Sequence, residues 1–269
     1  MFEGKRIVIT GGSSGVGKTL AQRLLSRGAV LVLLARDAGK LDTARRELGG
    51  TDRVDIESCD VSDADAVTAS FAAIRERGGP IDMLINSAGV LKEGPFDELP
   101  LSSYRQVMDI NLFGTLHCVR AAVPLLEERG GGNIVNIASV AGLMGVYGYA
   151  PYCASKHALV GLSETLRIEL KPRGIHVHVV CPPEFESPMV DELEQYRSPE
   201  NRAMVRALGV MKVEDVAAET LRGLERGRYQ IIPGRNARVL TTFARLFPRF
   251  TRSGVDRSLA RARNRAKTS

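Results

Sequence analysis

The chain has 269 residues, 44% of them hydrophobic, enough for one large domain with a sizeable core and no need of a second. Its net charge of +6 is uneven: residues 235–269 carry +9, leaving −3 for residues 1–234. A basic tail on a mildly acidic body speaks against a whole protein built to coat nucleic acid, and no apolar run approaches the roughly 18 residues of a membrane span.

In chain order, "MFEGKRIVIT" enters a strand pattern at once, so no signal peptide is expected. The stretches 6–10, 29–35, 53–61, 81–86, 132–139, 175–181 and 229–233 read as strands. Several are near-continuous runs of Val, Ile and Leu, as in a parallel sheet covered on both faces. Helical stretches lie between them. In "SKHALVGLSETLRIEL", Ala158, Leu159, Leu162, Leu166 and Leu170 fall at helical spacing. This alternation predicts an α/β fold, one doubly wound Rossmann-type domain over 1–234. Its seven-stranded sheet would be mainly parallel, with ligand at the carboxyl ends of the strands. His176 and His178 alternate along one strand, share a face and are given no role. Cys59, Cys118, Cys153 and Cys181 form no C-x-x-C pair. They fit reduced thiols in the cytoplasm, and no metal site is expected.

The turn after the first strand, "TGGSSGVGKT", satisfies two motifs. From Gly12 it is a P-loop ending in Lys18 and Thr19; from Thr10 it is T-G-x-x-x-G-x-G, a dinucleotide turn. Both set phosphate on a helix N-terminus. A P-loop enzyme also needs an aspartate for Mg²⁺ at the far end of a hydrophobic strand. Asp82 instead stands at the start of "IDMLIN", which ends in Asn86, and Asp60 has no convincing second magnesium or water-positioning residue. The dinucleotide reading is preferred.

The second strand ends in Ala35 and Arg36, where a carboxylate would hold the 2′-hydroxyl of NAD(H). Arginine there suits a 2′-phosphate and predicts NADP(H) in preference to NAD(H). Further on, Tyr152 and Lys156 form Y-x-x-x-K, one helical turn apart. A nearby ammonium is expected to bring a tyrosine's pKa down from about 10 toward the working range. Ser139 can donate a hydrogen bond to a carbonyl oxygen.

With these motifs the sequence resembles the short-chain dehydrogenase/reductase family from residue 5 to about residue 234. The resemblance implies a catalytic tetrad of Asn111 (in "NLFGT"), Ser139, Tyr152 and Lys156. It implies cofactor contacts from Thr10, Gly11, Ser13, Ser14, Gly15, Val16 and Gly17 in the turn, Arg36 after the second strand, and Asp60 with Val61 near the adenine. In "NSAG" it adds Asn86, Ala88 and Gly89, and further on Tyr152, Lys156, Pro182, Phe185 and Ser187. Hydride from the nicotinamide would reduce a ketone while Tyr152 donates the proton, and Asn111 would hold a water that relays protons to Lys156. One departure stands out: where the family has P-G-x-x-x-T, this chain reads "PPEFESP", with Pro183 for the glycine and Ser187 at the threonine's place. The double proline, an acid and S/T-P are similar to 3-ketodihydrosphingosine reductases, as are "LLARD", "DMLINSAGV" and the basic C-terminus. This suggests a long-chain lipid ketone as substrate. A 3-oxoacyl thioester, a steroid or another carbonyl compound is the alternative. A non-catalytic dinucleotide sensor or tail-mediated interaction protein would have no reason to keep Tyr152 beside Lys156. Relatives pair through helices corresponding to 102–129 and 151–173, so a homodimer or homotetramer is expected.

Residues 187–212 are polar and weakly periodic and read as an insertion or lid. In the extension 235–269, Val239, Leu240, Phe243, Leu246, Phe247 and Phe250 lie among Arg238, Arg245, Arg249 and Arg252. Such a basic amphipathic segment suits peripheral contact with a membrane interface. Packing on the body or on another subunit is the competing reading, and nucleic acid is disfavoured. Pro248 is expected to split the tail into two short helices.

Overall fold

The computed structural model describes residues 1–268, with side chains through Ala262 and at Asn264. Seven strands form one sheet: β1 (Arg6–Thr10), β2 (Val30–Ala35), β3 (Val54–Ser58), β4 (Met83–Asn86), β5 (Gly132–Ile137), β6 (Ile175–Val180) and β7 (Gln230–Ile231). Their order is β3-β2-β1-β4-β5-β6-β7, and every pair is parallel. Side chains of a strand alternate between faces, and both faces are covered. Ile7, Ile9, Leu31 and Leu33 pack with α1 (Gly15–Leu25), α2 (Ala38–Glu47) and α9 (Val213–Glu225). Val8, Val32, Leu34 and Leu84 pack with α3 (Ala64–Gly78), α5 (Gly114–Glu128) and the end of α6 (Ala150–Leu170). Two buried faces explain why the strands read as unbroken apolar runs.

β1 lies between β2 and β4, so the connections leave its carboxyl end to opposite sides. That reversal opens a crevice above the strand ends, the usual place for a ligand in such sheets. At the opposite, amino-terminal edge, Asp82 accepts from Lys5 Nζ (2.9 Å), the Arg6 backbone N–H (2.9 Å) and the Arg129 guanidinium (3.1 Å). It therefore fastens the sheet and is remote from the crevice. His178 is a satisfied core group, bonded to the Arg228 carbonyl (2.7 Å) and Asn133 Oδ1 (3.0 Å), while His176 is exposed.

Between α4 (Leu101–Met108) and α5 the helix widens into a π-turn, Asp109–Phe113, with Asn111 buried inside it. Such turns commonly mark functional positions. Residues 187–212 hold two helices, α7 (Pro188–Glu194) and α8 (Pro199–Leu208), each capped by a serine, Ser187 or Ser198. The weak periodicity of this region came from reading through the turn between them. Taken alone, α8 is amphipathic, with Met204, Val205 and Leu208 turned inward.

The tail breaks at Pro248 as expected, into α10 (Arg235–Leu246) and α11 (Pro248–Thr268). The second segment is long, 21 residues, instead of short. Proline at the first helical position starts a helix without loss, since its missing N–H has no partner there anyway. Ala237 and Leu240 of α10 pack with Val140 and Leu208. Val255 and Leu259 of α11 pack with Leu193 of α7 and Met204 of α8. The remaining apolar residues of α10 and its junction with α11 face outward.

Candidate active site

The glycine turn is built by close contact. Thr10 Oγ1 accepts from the backbone N–H of Ser87 and Ala88 (3.1 Å each), which clips the end of β4 to the end of β1. Gly11 has φ +65°, and a Cβ there would stand 2.8 Å from the Ala88 nitrogen. A Cβ on Gly17 would stand 2.5 Å from the Gly11 carbonyl oxygen, so α1 packs against the turn only through glycine. Gly15 differs: its φ is +50°, and a Cβ there would meet nothing within 4 Å. Ser14, the N-cap of α1, makes no side-chain capping bond, and Ser13 lies beside it in the turn. Free amides at a helix N-terminus with open space over Gly15 fit the pyrophosphate of a dinucleotide. The P-loop features are absorbed elsewhere. Lys18 forms an ion pair with Glu47, and Thr19 bonds the Gly15 carbonyl within the helix (3.0 Å).

Along the strand ends, Arg36 is 74% exposed, with its guanidinium 3.8 Å from Asp60. Asp60 accepts from the Ser62 hydroxyl (2.7 Å) and backbone (3.0 Å). The hydroxyl bond holds its carboxyl below the usual range against the opposing effect of burial. Val61 packs so tightly on Gly114 that a Cβ there would approach it to 2.7 Å.

Val16, Gly89, Ser139, Tyr152, Lys156, Pro182, Phe185 and Ser187 line one cavity above β5 and β6. All eight are among the site residues expected from the sequence. Asn86 does not line this cavity. Its amide is turned into the sheet, donating to Asn136 Oδ1 (2.9 Å), and Asn136 donates on to Ser163 (2.9 Å). Asn111 lies behind the cavity floor. Its Oδ1 accepts from the Val90 N–H (2.8 Å), and its Nδ2 donates to the Val90 carbonyl (2.9 Å) and Ser155 Oγ (3.0 Å). A Cβ on Gly89 would come within 3.2 Å of that Oδ1 and 3.7 Å of Lys156 Nζ, so only glycine leaves the floor open.

Ser139 sits just past β5, its hydroxyl accepting from the Ala141 N–H (3.1 Å). Lys156 is buried and donates to the Ile137 carbonyl (2.9 Å), with Nζ 5.5 Å from the centre of the Tyr152 ring. One expectation is corrected here. The tyrosine's pKa is not brought down; burial pushes it up to about 12, with the Ser139 hydrogen bond, the next largest influence, pulling the other way. Burial also lowers Lys156 to about 8. The ammonium faces a backbone carbonyl and the ring, not the phenol oxygen, so desolvation outweighs it.

After β6, the double proline gives a defined path. The Pro182 carbonyl accepts from the Val140 N–H (2.9 Å), and the next residues pair with Met211 through the Glu184 carbonyl (3.0 Å) and the Glu186 N–H (3.1 Å). Ser187 both lines the cavity and caps α7. Ser87, Tyr149 and Glu184 also line the cavity and were not anticipated. Tyr149 is three residues before Tyr152, with ring centres 5.8 Å apart. Glu184 is the acid after the double proline, whose direction only the folded loop sets.

Gly15→Ala generates a prediction: the alanine adds no clash with protein, so the melting temperature should fall by only a few degrees, in line with roughly 1 kcal/mol of backbone strain. Its methyl group would enter the space over the helix N-terminus. Binding of the dinucleotide, followed by cofactor fluorescence, should weaken by at least about tenfold, roughly 1.4 kcal/mol.

Residues 5–198 match the family model described as short chain dehydrogenase. The 3-ketodihydrosphingosine reductase of Bos taurus is 34% identical over 245 residues, 89% of this chain and 74% of that protein. A short chain dehydrogenase/reductase from Burkholderia phymatum, solved in complex with NAD, superposes with a TM-score of 0.79 at 31% identity, covering 91% of this chain and 93% of its own. A variant of actinorhodin polyketide ketoreductase, solved with NADPH, gives 0.78 at 31% identity, covering 86% and 96%. Over a turn shaped for a dinucleotide, these likenesses have one meaning: the chain belongs to the short-chain dehydrogenase/reductase family, as an oxidoreductase that takes a nicotinamide dinucleotide.

Proposed function

We propose that this enzyme reduces the ketone of a long-chain lipid to a secondary alcohol, with NADP(H) as cofactor and Tyr152 as proton donor. The observation that carries this reading is the convergence of Ser139, Tyr152 and Lys156 on one cavity beside the glycine turn. Leu91, Phe185, Met189 and Val190 add an apolar wall that suits an alkyl chain, and the named bovine relative supports a lipid ketone. When bound, the cofactor supplies hydride to the carbonyl carbon. Ser139 donates a hydrogen bond to the carbonyl oxygen, and Tyr152 gives that oxygen its proton. A phenol raised to about 12 is fully protonated at neutral pH, which suits a donor in the reducing direction. Lys156 contributes positive charge beneath the site.

Tyr152→Phe should lower kcat by about 10²-fold or more while cofactor binding persists, since only the acid is lost. A lysine with a depressed pKa is charged below that value and neutral above it. Reduction by the parent enzyme should therefore decline as pH rises through about 8, the value for Lys156, while Tyr152 stays protonated across the same window. An alkaline limit near the ordinary lysine value of about 10.4 would contradict this. Steady-state kinetics over pH 6–10 reads both outcomes.

The NADP(H) preference rests on exposed Arg36 after Ala35, with no acid at that strand end. The combined change Ala35→Asp and Arg36→Ser should shift the ratio of kcat/KM toward NADH. Equal efficiency with both cofactors in the parent would remove the preference.

The tail supports peripheral contact with an anionic membrane. Val239 (61% exposed), Leu246 (65%) and Phe250 (71%) stand outward with Phe243 and Phe247, whose rings lie 5.0 Å apart. Exposed Arg245, Arg249 and Arg252 rim the patch. Each basic group near anionic lipid contributes about 1 kcal/mol. Among the described residues no helix is long and apolar enough to cross a membrane, so contact would be interfacial. The four free cysteines suit its cytoplasmic side. The full chain should pellet with phosphatidylserine vesicles at low salt, and Phe243→Ser with Phe250→Ser should not. Sedimentation velocity without vesicles reads self-association, for which Phe113 and Ile168, exposed beside α5 and on α6, supply apolar contact.

A further inference from the structure

At the β7 edge of the sheet lies a second cleft, of about 240 Å³, that shares no residue with the active-site cavity. Arg222 and Arg226 at the end of α9, Arg228 before β7 and Arg238 of α10 line it, with one acid, Glu219. The backbone that gathers them is fixed. A Cβ on Gly223 would stand 2.6 Å from the Ile231 side chain, so only glycine lets α9 lie this close to β7. The Arg228 N–H donates to the Gly223 carbonyl (3.1 Å), and its carbonyl is bonded to the His178 ring.

Four guanidiniums therefore face one carboxylate, in a body whose net charge over residues 1–234 is −3. Glu219 is already engaged: its Oε2 accepts from the Gly234 N–H (3.1 Å) and lies 3.6 Å from Arg238. The other charged groups close by come in opposite pairs. Glu225 is bound to Arg27, and Glu164 stands with Arg167 around the Tyr229 ring. Among the described residues the side chains of Arg222, Arg226 and Arg228 have no hydrogen bond or ion pair. The negative end of the α9 dipole favours cations in its last turn. That accounts for Arg222 and Arg226 singly, although at i,i+4 they repel each other. It does not account for Arg228 beyond the helix or Arg238 from another one. A cleft lined by one sign of charge concentrates its field on whatever anion enters.

We propose that this cleft is a binding site for the phosphate group of a phosphomonoester. Such a group carries about two negative charges at neutral pH and three acceptor oxygens, which suits three guanidiniums with no partner of their own. Guanidinium forks pair with phosphate through two parallel hydrogen bonds. The ligand is a lipid headgroup or a soluble phosphate compound of the same chemistry. The place of the cleft connects it to the tail: Arg238 lines it, and the next residue, Val239, begins the exposed apolar face of α10. The site goes beyond the reductase reading and stands apart from its cavity.

Full-length enzyme saturated with nicotinamide dinucleotide, so that the glycine turn is filled, tests it in two arms. In calorimetry, glycerol 3-phosphate should bind at one site per chain. Arg222→Gln with Arg228→Gln should weaken that binding by at least about tenfold, as expected when charge-assisted bonds to phosphate are lost. Arg249→Gln with Arg252→Gln removes the same charge from the tail and should leave it unchanged. In the second arm, phosphatidic acid vesicles present a monoester and phosphatidylserine vesicles a diester, at equal surface potential. The parent should prefer phosphatidic acid by at least about fivefold in co-sedimentation, and the cleft variant should lose that preference. A response in the soluble arm alone assigns the site to a soluble phosphomonoester, and one in the vesicle arm alone assigns it to a headgroup; either supports the site. Absence of both would overturn it, as would an equal loss in the two charge-matched variants. Phosphatidylserine binding that survives such a result leaves the membrane reading of the tail standing. The vesicle comparison in the parent needs no variant, so a poorly folding variant does not block the test.

Discussion

The buried amide of Asn111 is the knot on which the site depends. Its three hydrogen bonds join the loop after β4, through both polar groups of Val90, to Ser155 on α6. Ser155 in turn donates to the Tyr152 carbonyl (2.8 Å). The loop beneath the cavity and the helix that carries Tyr152 and Lys156 are thus tied through one side chain. To reach both partners, the amide must leave ordinary helical register, and the π-turn at Asp109–Phe113 provides that. A widened turn gives up regular hydrogen bonding. Within it, Thr115 Oγ1 donates to the Asn111 carbonyl (3.0 Å), so that carbonyl keeps a partner.

Desolvation rules the electrostatics of the cavity. The simple picture of a lysine charge drawing a proton off tyrosine requires the charge to face the phenol oxygen. Lys156 instead donates to the Ile137 carbonyl and lies over the ring. Burial then acts on each group in its own direction, raising the acid and lowering the base. Both groups still hold their protons at neutral pH, the condition a reductase needs.

Helices α7 and α8 pack together with the tail. Leu193 of α7 and Met204 of α8 meet Val255 and Leu259 from α11 and Tyr149 from the cavity wall in a single apolar cluster. The competing readings of the tail therefore divide by face. The inner face of α10 and the middle of α11 serve the fold, while the outer face at their junction keeps exposed aromatic residues amid arginine.

The sequence by itself determined the parallel sheet, because strands buried on both faces must be apolar throughout, and it determined the glycine turn, because contacts of 2.5–2.8 Å admit no side chain. It also marked Ser139, Tyr152 and Lys156, whose chemistry and spacing are local. Tertiary structure decided what depends on direction and surroundings. Asn86 was a cofactor contact by motif, but its amide points into the sheet, toward Asn136 on the neighbouring strand. The tyrosine's pKa depends on burial supplied by segments far along the chain. Glu184 became a cavity wall only when β6, Arg197 and Met211 met around it. Spacing along a chain encodes which groups can share a turn or a face; the field and solvent each group meets are set by residues distant in sequence, and only folding brings those together.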